Sequence, residues 1–193
     1  MKDIFLKAID SGEKTAGVET QYKVSTDATT VYLAIQGSIQ KEDWLANFDF
    51  VAIPYRKMPV VWFCHRGFIK TWKAAREQII ADVLPLLPGK RLVILGYSHG
   101  AAIATLAHED FIFLGYDPET WVFGSPRVLW MPVKLIKDRF SKLHNIQNRG
   151  DIVTMVPFGA MGFCHVGEVV HVGPNHAPWY TPHLIPQYLS SLS

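Results

Sequence analysis

Arg91–Ala107 reads RLVILGYSHGAAIATLA, and the rest of the chain is arranged around it. Its opening run, Leu92, Val93, Ile94 and Leu95, is continuously apolar and rich in β-branched side chains. That pattern suits a strand buried on both faces, as in a parallel sheet. The run closes on Gly96-Tyr97-Ser98-His99-Gly100. Small, helix-favouring residues follow: Ala101, Ala102, Ile103, Ala104, Leu106 and Ala107. Strand, G-x-S-x-G and helix in that order predict a nucleophile elbow, a sharp, strained turn that lifts a serine clear of the sheet. Gly96 and Gly100 let strand and helix pass close. Ser98 then stands at a helix N-terminus, where backbone N–H groups favour a developing negative charge. The competing reading is an ordinary strand-to-helix turn with Ser98 as its N-cap.

The 193 residues are enough for one domain of moderate size with a real core. A hydrophobic share of 49% against 19% charged excludes a disordered chain. The net charge is only +2 and no basic run stands out, so no nucleic-acid partner is expected. Six Trp, eleven Phe and seven Tyr supply a core and an apolar pocket. Two cysteines are too few for a disulfide framework. The N-terminal MKDIFLKAID carries Asp3 and Asp10 and lacks the apolar core of a signal peptide. No stretch reaches the uncharged length of a membrane span. The cytoplasm is therefore the default expectation for location, and no cofactor is expected.

Along the chain, Asp3–Ser11 reads as a short amphipathic helix. Val18–Ser25 and Thr29–Ile35 read as an antiparallel hairpin turning at Thr26-Asp27-Ala28. Residues 39–53 carry Trp44, Leu45, Phe48, Phe50, Val51 and Ile53 among charged neighbours. They read either as packed core or as a mobile amphipathic lid over an apolar site. Val60–Cys64 reads as a strand, Gly67–Leu87 as a long helix stopped by Pro85, Pro88 and Gly89, and Thr120–Phe123 as a strand. Pro132–Lys142 reads as a basic amphipathic helix, His144–Gln147 and His165–Val172 as strands, and Pro182–Leu192 as a closing helix. Helices alternate with strands through the second half, which predicts an α/β fold with a mainly parallel central sheet flanked by helices. No repeat or low-complexity segment divides residues 1–193, so they read as a single domain.

A serine hydroxyl needs a base, and the base needs an orienting acid. Behind a nucleophile elbow the chain order is Ser, then Asp or Glu, then His. Glu109 and Asp110 sit late on the nucleophile helix, Asp117 and Glu119 precede their strand, Asp138 is mid-helix and Glu168 mid-strand. Asp151 alone follows the carboxyl end of a strand, where ligands of such sheets collect; its other reading is an Asp capping a turn. Among the histidines beyond it, His165 and His171 read as structural residues six apart on one strand face. His176 and His183 lie in the loop region, where functional residues concentrate. His183 opens a helix, which fixes its backbone more firmly. The backbone N–H of His99 is one oxyanion donor, and the loop at Gly37-Ser38 is where the other belongs.

These residues carry a resemblance to the class 3 lipases, the fungal triacylglycerol lipase-like branch of the α/β-hydrolases, from about Tyr32 to Tyr188. Ile35-Gln36-Gly37-Ser38 with Asp43-Trp44 resembles the family's Phe-Arg-Gly-Thr/Ser and the Trp after it. His65-Arg66-Gly67-Phe68 is similar to its His-x-Gly-Phe. Gly96–Gly100 fills its elbow, and Phe123–Val128 matches its strand-end motif. Asp151-Ile152-Val153 and Gly162–Glu168 resemble its acid loop and the His-x-Gly-x-Glu that follows. His183-Leu184 with Tyr188 resembles its closing His-Leu and nearby Tyr. Tyr97 and His99 stand where the family usually has His and Leu, Gln36 where it has Arg, and Pro182 where it often has Asp.

The resemblance implies a compact α/β-hydrolase fold and a serine carboxylic-ester hydrolase acting on lipid or other carboxylic esters, with transient contact with a lipid surface. It implies Ser98, Asp151 and His183 as the catalytic set, Ser38 with the His99 amide as the oxyanion hole, residues 39–53 as the lid, and a structural His165. Two rivals set against it are a zinc site at Cys64-His65 and Cys164-His165, whose spacing matches no known ligand pattern, and a hydrolase-like lipid-binding module without catalysis.

Overall fold

The structure, a computed structural model, describes residues 1–10, 12–37, 51–55, 62–130, 137–175 and 177–192. Its strands are β1 (Lys14–Ala16), β2 (Thr20–Thr26), β3 (Thr30–Gly37), β4 (Ala52–Tyr55), β5 (Trp62–His65), β6 (Arg91–Tyr97), β7 (Glu119–Phe123), β8 (Leu129–Trp130), β9 (Leu143–Asn148), β10 (Phe163–Cys164) and β11 (Glu168–Val172). Its α-helices are α1 (Lys2–Ile9), α2 (Arg66–Val83), α3 (His99–Phe113) and α4 (Ile185–Ser191). Seven strands form one sheet in the order β1-β2-β3-β6-β7-β9-β11. The β1-β2 and β2-β3 pairs are antiparallel, and every pair from β3 to β11 is parallel. The crossovers through α2 and α3 make this the α/β arrangement the alternating pattern predicts.

The strand β6 lies inside the sheet, and its apolar run follows from that position. Leu92 and Ile94 join Val31, Leu33 and Ile35 in a core shared with α2 and α3. Val93, Leu95 and Tyr97 join Phe123 and Ile146 in a second core, closed by Phe5 and Ala8 of α1 and by Tyr188 of α4. Arg91 at the start of β6 is exposed; from Leu92 to Tyr97 the strand is covered on both faces, where a charge could not reach water. The helix behind it is enclosed too, with every residue from Gly100 to Phe111 buried. Its polar residues are therefore partnered inside. His108 bridges Thr120 Oγ1 (2.9 Å) and the Arg139 carbonyl (2.8 Å). Glu109 accepts from Arg139 Nε at 2.6 Å. Asp110 accepts from Trp72 Nε1 and Arg76 Nε, both at 2.7 Å, and from the Tyr55 hydroxyl.

Several sequence expectations are corrected. The strand read at Val60–Cys64 is present over Trp62–Cys64, but outside the main sheet. As β5 it belongs to a separate antiparallel sheet ordered β10-β8-β5-β4. There Cys64 and Cys164 pair with Leu129 from its two sides. Ala52 and Ile53, the end of the segment expected as a lid, are strand residues of β4 paired to His65 and Cys64. Residues 39–50 lie outside the described residues. The long helix ends at Val83, where Pro85 turns the chain into a 3-10 turn, Leu84–Leu86. Of the expected helix at Pro132–Lys142, residues 137–140 form a 3-10 turn that buries Phe140, and residues 131–136 lie outside the described residues. His165 is not on the strand with His171. Gly167 (φ +77°) breaks the run where a Cβ would come within 2.2 Å of the Leu143 carbonyl oxygen, and β11 starts only at Glu168.

Candidate active site

The elbow is a packing requirement before it is a chemical one. A Cβ on Gly96 would lie 2.6 Å from the Gly100 carbonyl oxygen, and one on Gly100 would lie 2.1 Å from that of Ile35. Only glycine lets β6, α3 and the end of β3 approach so closely. Between them Ser98 takes φ 57° and ψ −126°, the only positive φ outside glycine among the described residues. Such a conformation costs about 1–3 kcal/mol and persists because its surroundings enforce it. Its N–H donates to the Phe123 carbonyl at 2.9 Å. The Ser98 hydroxyl makes no cap bond to its own helix. Oγ lies instead 2.8 Å from His183 Nε2.

His183 closes a 3-10 turn, Thr181–His183, directly before α4. Pro182 at the start of that turn and Pro186 at the start of α4 pre-set the backbone around it. His183 Nδ1 lies 2.8 Å from Asp151 Oδ2. Asp151, fully buried just beyond β9, also accepts from the Tyr188 hydroxyl (2.7 Å) and, on Oδ1, from Val153 N–H (2.9 Å). A carboxylate can only accept, so Nδ1 carries the imidazole proton and Nε2 is left to accept from the Ser98 hydroxyl. Sequence expectation and geometry thus bring together Ser98, Asp151 and His183. His99 is the first residue of α3, so its N–H belongs to the helix turn whose donors point outward at the N-terminus. Burial lowers the His99 side chain to a pKa of about 4, and its ring lies edge-on to Phe68 at 5.4 Å. Ser38 and His176 lie outside the described residues.

The acid loop is braced from several sides. Thr154 Oγ1 donates to the Asp151 carbonyl (2.8 Å). His165 Nε2 donates to the Thr154 carbonyl (2.8 Å), while its Nδ1 faces Asn145 Nδ2 (3.2 Å). Burial holds His165 to a pKa of about 4, so it serves as a neutral strut. Arg127 donates to the carbonyls of Pro157 (3.0 Å) and Met155. Trp179 pairs beside the acid, its N–H donating to the Gly150 carbonyl (2.9 Å) and its carbonyl accepting from Ile152 N–H (3.1 Å).

Sequence reasoning missed three supports. Gly124 (φ +58°) packs so tightly under the dyad that a Cβ would sit 3.0 Å from His183 Cε1 and 3.1 Å from Asp151 Oδ2. Asn148 gives its N–H to the Tyr188 hydroxyl (3.0 Å) and its amide to the Pro182 carbonyl (2.9 Å). Tyr97 stacks on His183. Gly124 and Asn148 each follow or end a strand at its carboxyl end, and that was the available signal. The four side chains of the zinc rival have other work. Cys164 Sγ donates to the Leu129 carbonyl (3.3 Å), Cys64 is in the core, His65 caps α2 through Phe68 N–H, and His165 braces the acid loop.

The chain belongs to the class 3 lipase family: the family model "Lipase (class 3)" matches residues 32–161. It is 31% identical over 170 residues to the secreted mono- and diacylglycerol lipase A of Penicillium cyclopium, covering 82% of this chain and 54% of that protein. To the lipase of Rhizomucor miehei it is 24% identical over 159 residues, covering 76% and 42%. The chain spans about half the length of the curated relatives it matches. Among solved structures, the mono- and diacylglycerol lipase from Aspergillus oryzae superposes with a TM-score of 0.74 at 25% identity, covering 85% of this chain and 62% of that one. The Rhizomucor miehei triacylglyceride lipase shares the fold with a TM-score of 0.74 at 24% identity, covering 83% and 66%. These neighbours place the parallel sheet and its helices in the α/β-hydrolase fold. No helix among the described residues is long and apolar enough to cross a membrane.

Proposed function

We propose that the protein is a serine carboxylic-ester hydrolase acting on lipid esters through an acyl-enzyme. The observation that carries this reading is the hydrogen-bonded chain from Ser98 Oγ through His183 to buried Asp151, set at a strained elbow. In the first half-reaction Oγ attacks the ester carbonyl carbon while His183 Nε2 takes its proton. The carbonyl electron pair moves onto oxygen, where the His99 N–H at the positive end of α3 stabilises it. Collapse expels the alkoxide, which leaves with the proton from Nε2. Water then attacks the acyl-enzyme by the same steps and releases the carboxylic acid. Asp151 holds the tautomer and stabilises the imidazolium without taking its proton. Ser38 is the second oxyanion donor on this reading, supported by its place directly after β3, whose end abuts the first turn of α3 at Gly100.

The surface near the site supports a lipid substrate. From Ile152 to Ser193 the sequence holds a single charged side chain, Glu168. Within that stretch Phe158, Met161, Trp179 and Leu184 are all exposed. A stretch so poor in charge and studded with exposed apolar groups suits contact with an aggregated lipid. The relatives named as mono- and diacylglycerol lipases favour acylglycerols.

The test is a panel of p-nitrophenyl esters of rising chain length. Wild type should turn them over, a serine-directed phosphonate should stop it with the adduct on Ser98, and Ser98→Ala should lose several orders of magnitude in kcat while folding normally. An adduct on another serine would overturn the assignment.

A further inference from the structure

His183 sits among three tyrosines. The Tyr97 ring lies nearly parallel to the imidazole, 16° between planes and 5.1 Å between centroids. Tyr180 is tilted over it at 5.5 Å, and Tyr188 stands edge-on at 6.5 Å. Tyr97 is also tethered to the residue it faces, because its hydroxyl donates to the His183 carbonyl. The contact spans 86 residues of sequence and joins the last residue of β6 to the turn before α4. Tyr97 directly precedes Ser98, so one rigid strand end positions both the nucleophile and the face of its base.

From this geometry we infer, on the esterase reading above, that Tyr97 is a positioning residue that steadies the His183 ring and stabilises the imidazolium formed as the serine proton arrives. The physical cause is twofold. A stacked ring blocks rotation of the imidazole about its Cβ–Cγ bond, which would break the 2.8 Å contacts to Ser98 and Asp151 together. Its π face attracts a cation within about 6 Å of its centroid. The neutral imidazole of the resting enzyme gains little from that face, whereas the imidazolium of the tetrahedral intermediate gains more, so the difference lowers the barrier. Among the described residues, the groups facing His183 are Asp151, Ser98 and the three tyrosines. Asp151 is the one carboxylate among them, and its full charge is complemented from above the ring plane by Tyr97. Burial raises the Tyr97 phenol pKa, so the ring stays neutral at working pH.

The test keeps the shape and changes the electronics. Tyr97→Phe preserves the ring and removes the tether. Phenylalanines carrying one, two and three fluorines at the same position then drain the π face at nearly constant volume. Against a soluble p-nitrophenyl ester, kcat per active site, counted by phosphonate titration, should fall stepwise with fluorination. The whole series should span about 2- to 30-fold with KM unchanged. Tyr97→Leu should fall at least as far as the most fluorinated ring. Equal kcat across the fluorinated series would overturn the inference and leave Tyr97 as packing, whose loss shows in melting temperature and active-site count instead. A wild type that neither turns over esters nor takes the phosphonate would overturn the esterase reading itself, and the inference with it.

Discussion

At the scale of single residues, the site depends as much on an absent side chain as on those present. Gly124 carries no chemistry, yet its φ of +58° strains any other residue, and a methyl group there would lie 3.0 Å from His183 Cε1, tight enough that the neighbour must give. Gly124→Ala should push His183 or Asp151 off line. A displacement of about 1 Å at such a centre is worth roughly 10²-fold in rate; the shift needed here is a few tenths of an ångström, so kcat should fall by less than that while the fold, read by circular dichroism, persists. Wild-type kcat in that variant would mean the dyad tolerates the shift. The candidate triad was legible in the sequence, because chain order and strand ends leave few choices for the acid. The supporting roles of Gly124, Asn148 and Tyr97 were not, because strand ends mark where Gly124 and Asn148 sit but not the residues far along the chain that they pack against. The choice of His183 over His176 rests on the start of a helix, and His183 does close the 3-10 turn directly before α4; His176 lies outside the described residues.

At the scale of elements, the helix α3 joins two requirements. Its N-terminus carries Ser98, and its far end is anchored by buried charges. Asp110 accepts from Tyr55 of β4 and from Trp72 and Arg76 of α2, so it fastens three elements together. Asp110→Asn removes the charge and leaves the Arg76 guanidinium, mostly buried, without its counter-ion. Breaking such a pair costs about 3–5 kcal/mol, which a urea titration should show. Asp110 lies twelve residues from Ser98, about 18 Å along the helix, so kcat in the cold should stay near wild type. A stable variant with lost activity would reverse this assignment. Strands buried on both faces, such as β6, announce themselves as apolar runs. Of the second sheet only β5 does, because β8 and β10 are two residues long and their pairing is set wholly by tertiary contact.

At the scale of the molecule, one buried and two half-buried histidines make the fold sensitive to acid. His99, His108 and His165 are each lowered to a pKa of about 4, chiefly by burial, against about 6.5 in an unfolded chain. Between those values the unfolded chain binds more protons than the folded one, so stability rises with pH and is lost as pH falls from 6.5 towards 4. Each histidine contributes a slope of at most about 1.4 kcal/mol per pH unit. Urea midpoints should therefore drop across that window, and a flat profile would show the histidines charging without cost. The register of the small sheet has a consequence of another kind. Cys64 and Cys164 flank Leu129 on opposite sides, which puts two strand spacings, about 10 Å, between their Cα atoms. A disulfide reaches no further than about 7 Å, and burial raises the Cys64 thiol pKa, which disfavours its reactive thiolate. The fold thus has no internal redox couple to set. Melting curves with and without dithiothreitol should coincide, and the same native state is open to this chain in a reducing cell interior and in an oxidising secretory lumen alike.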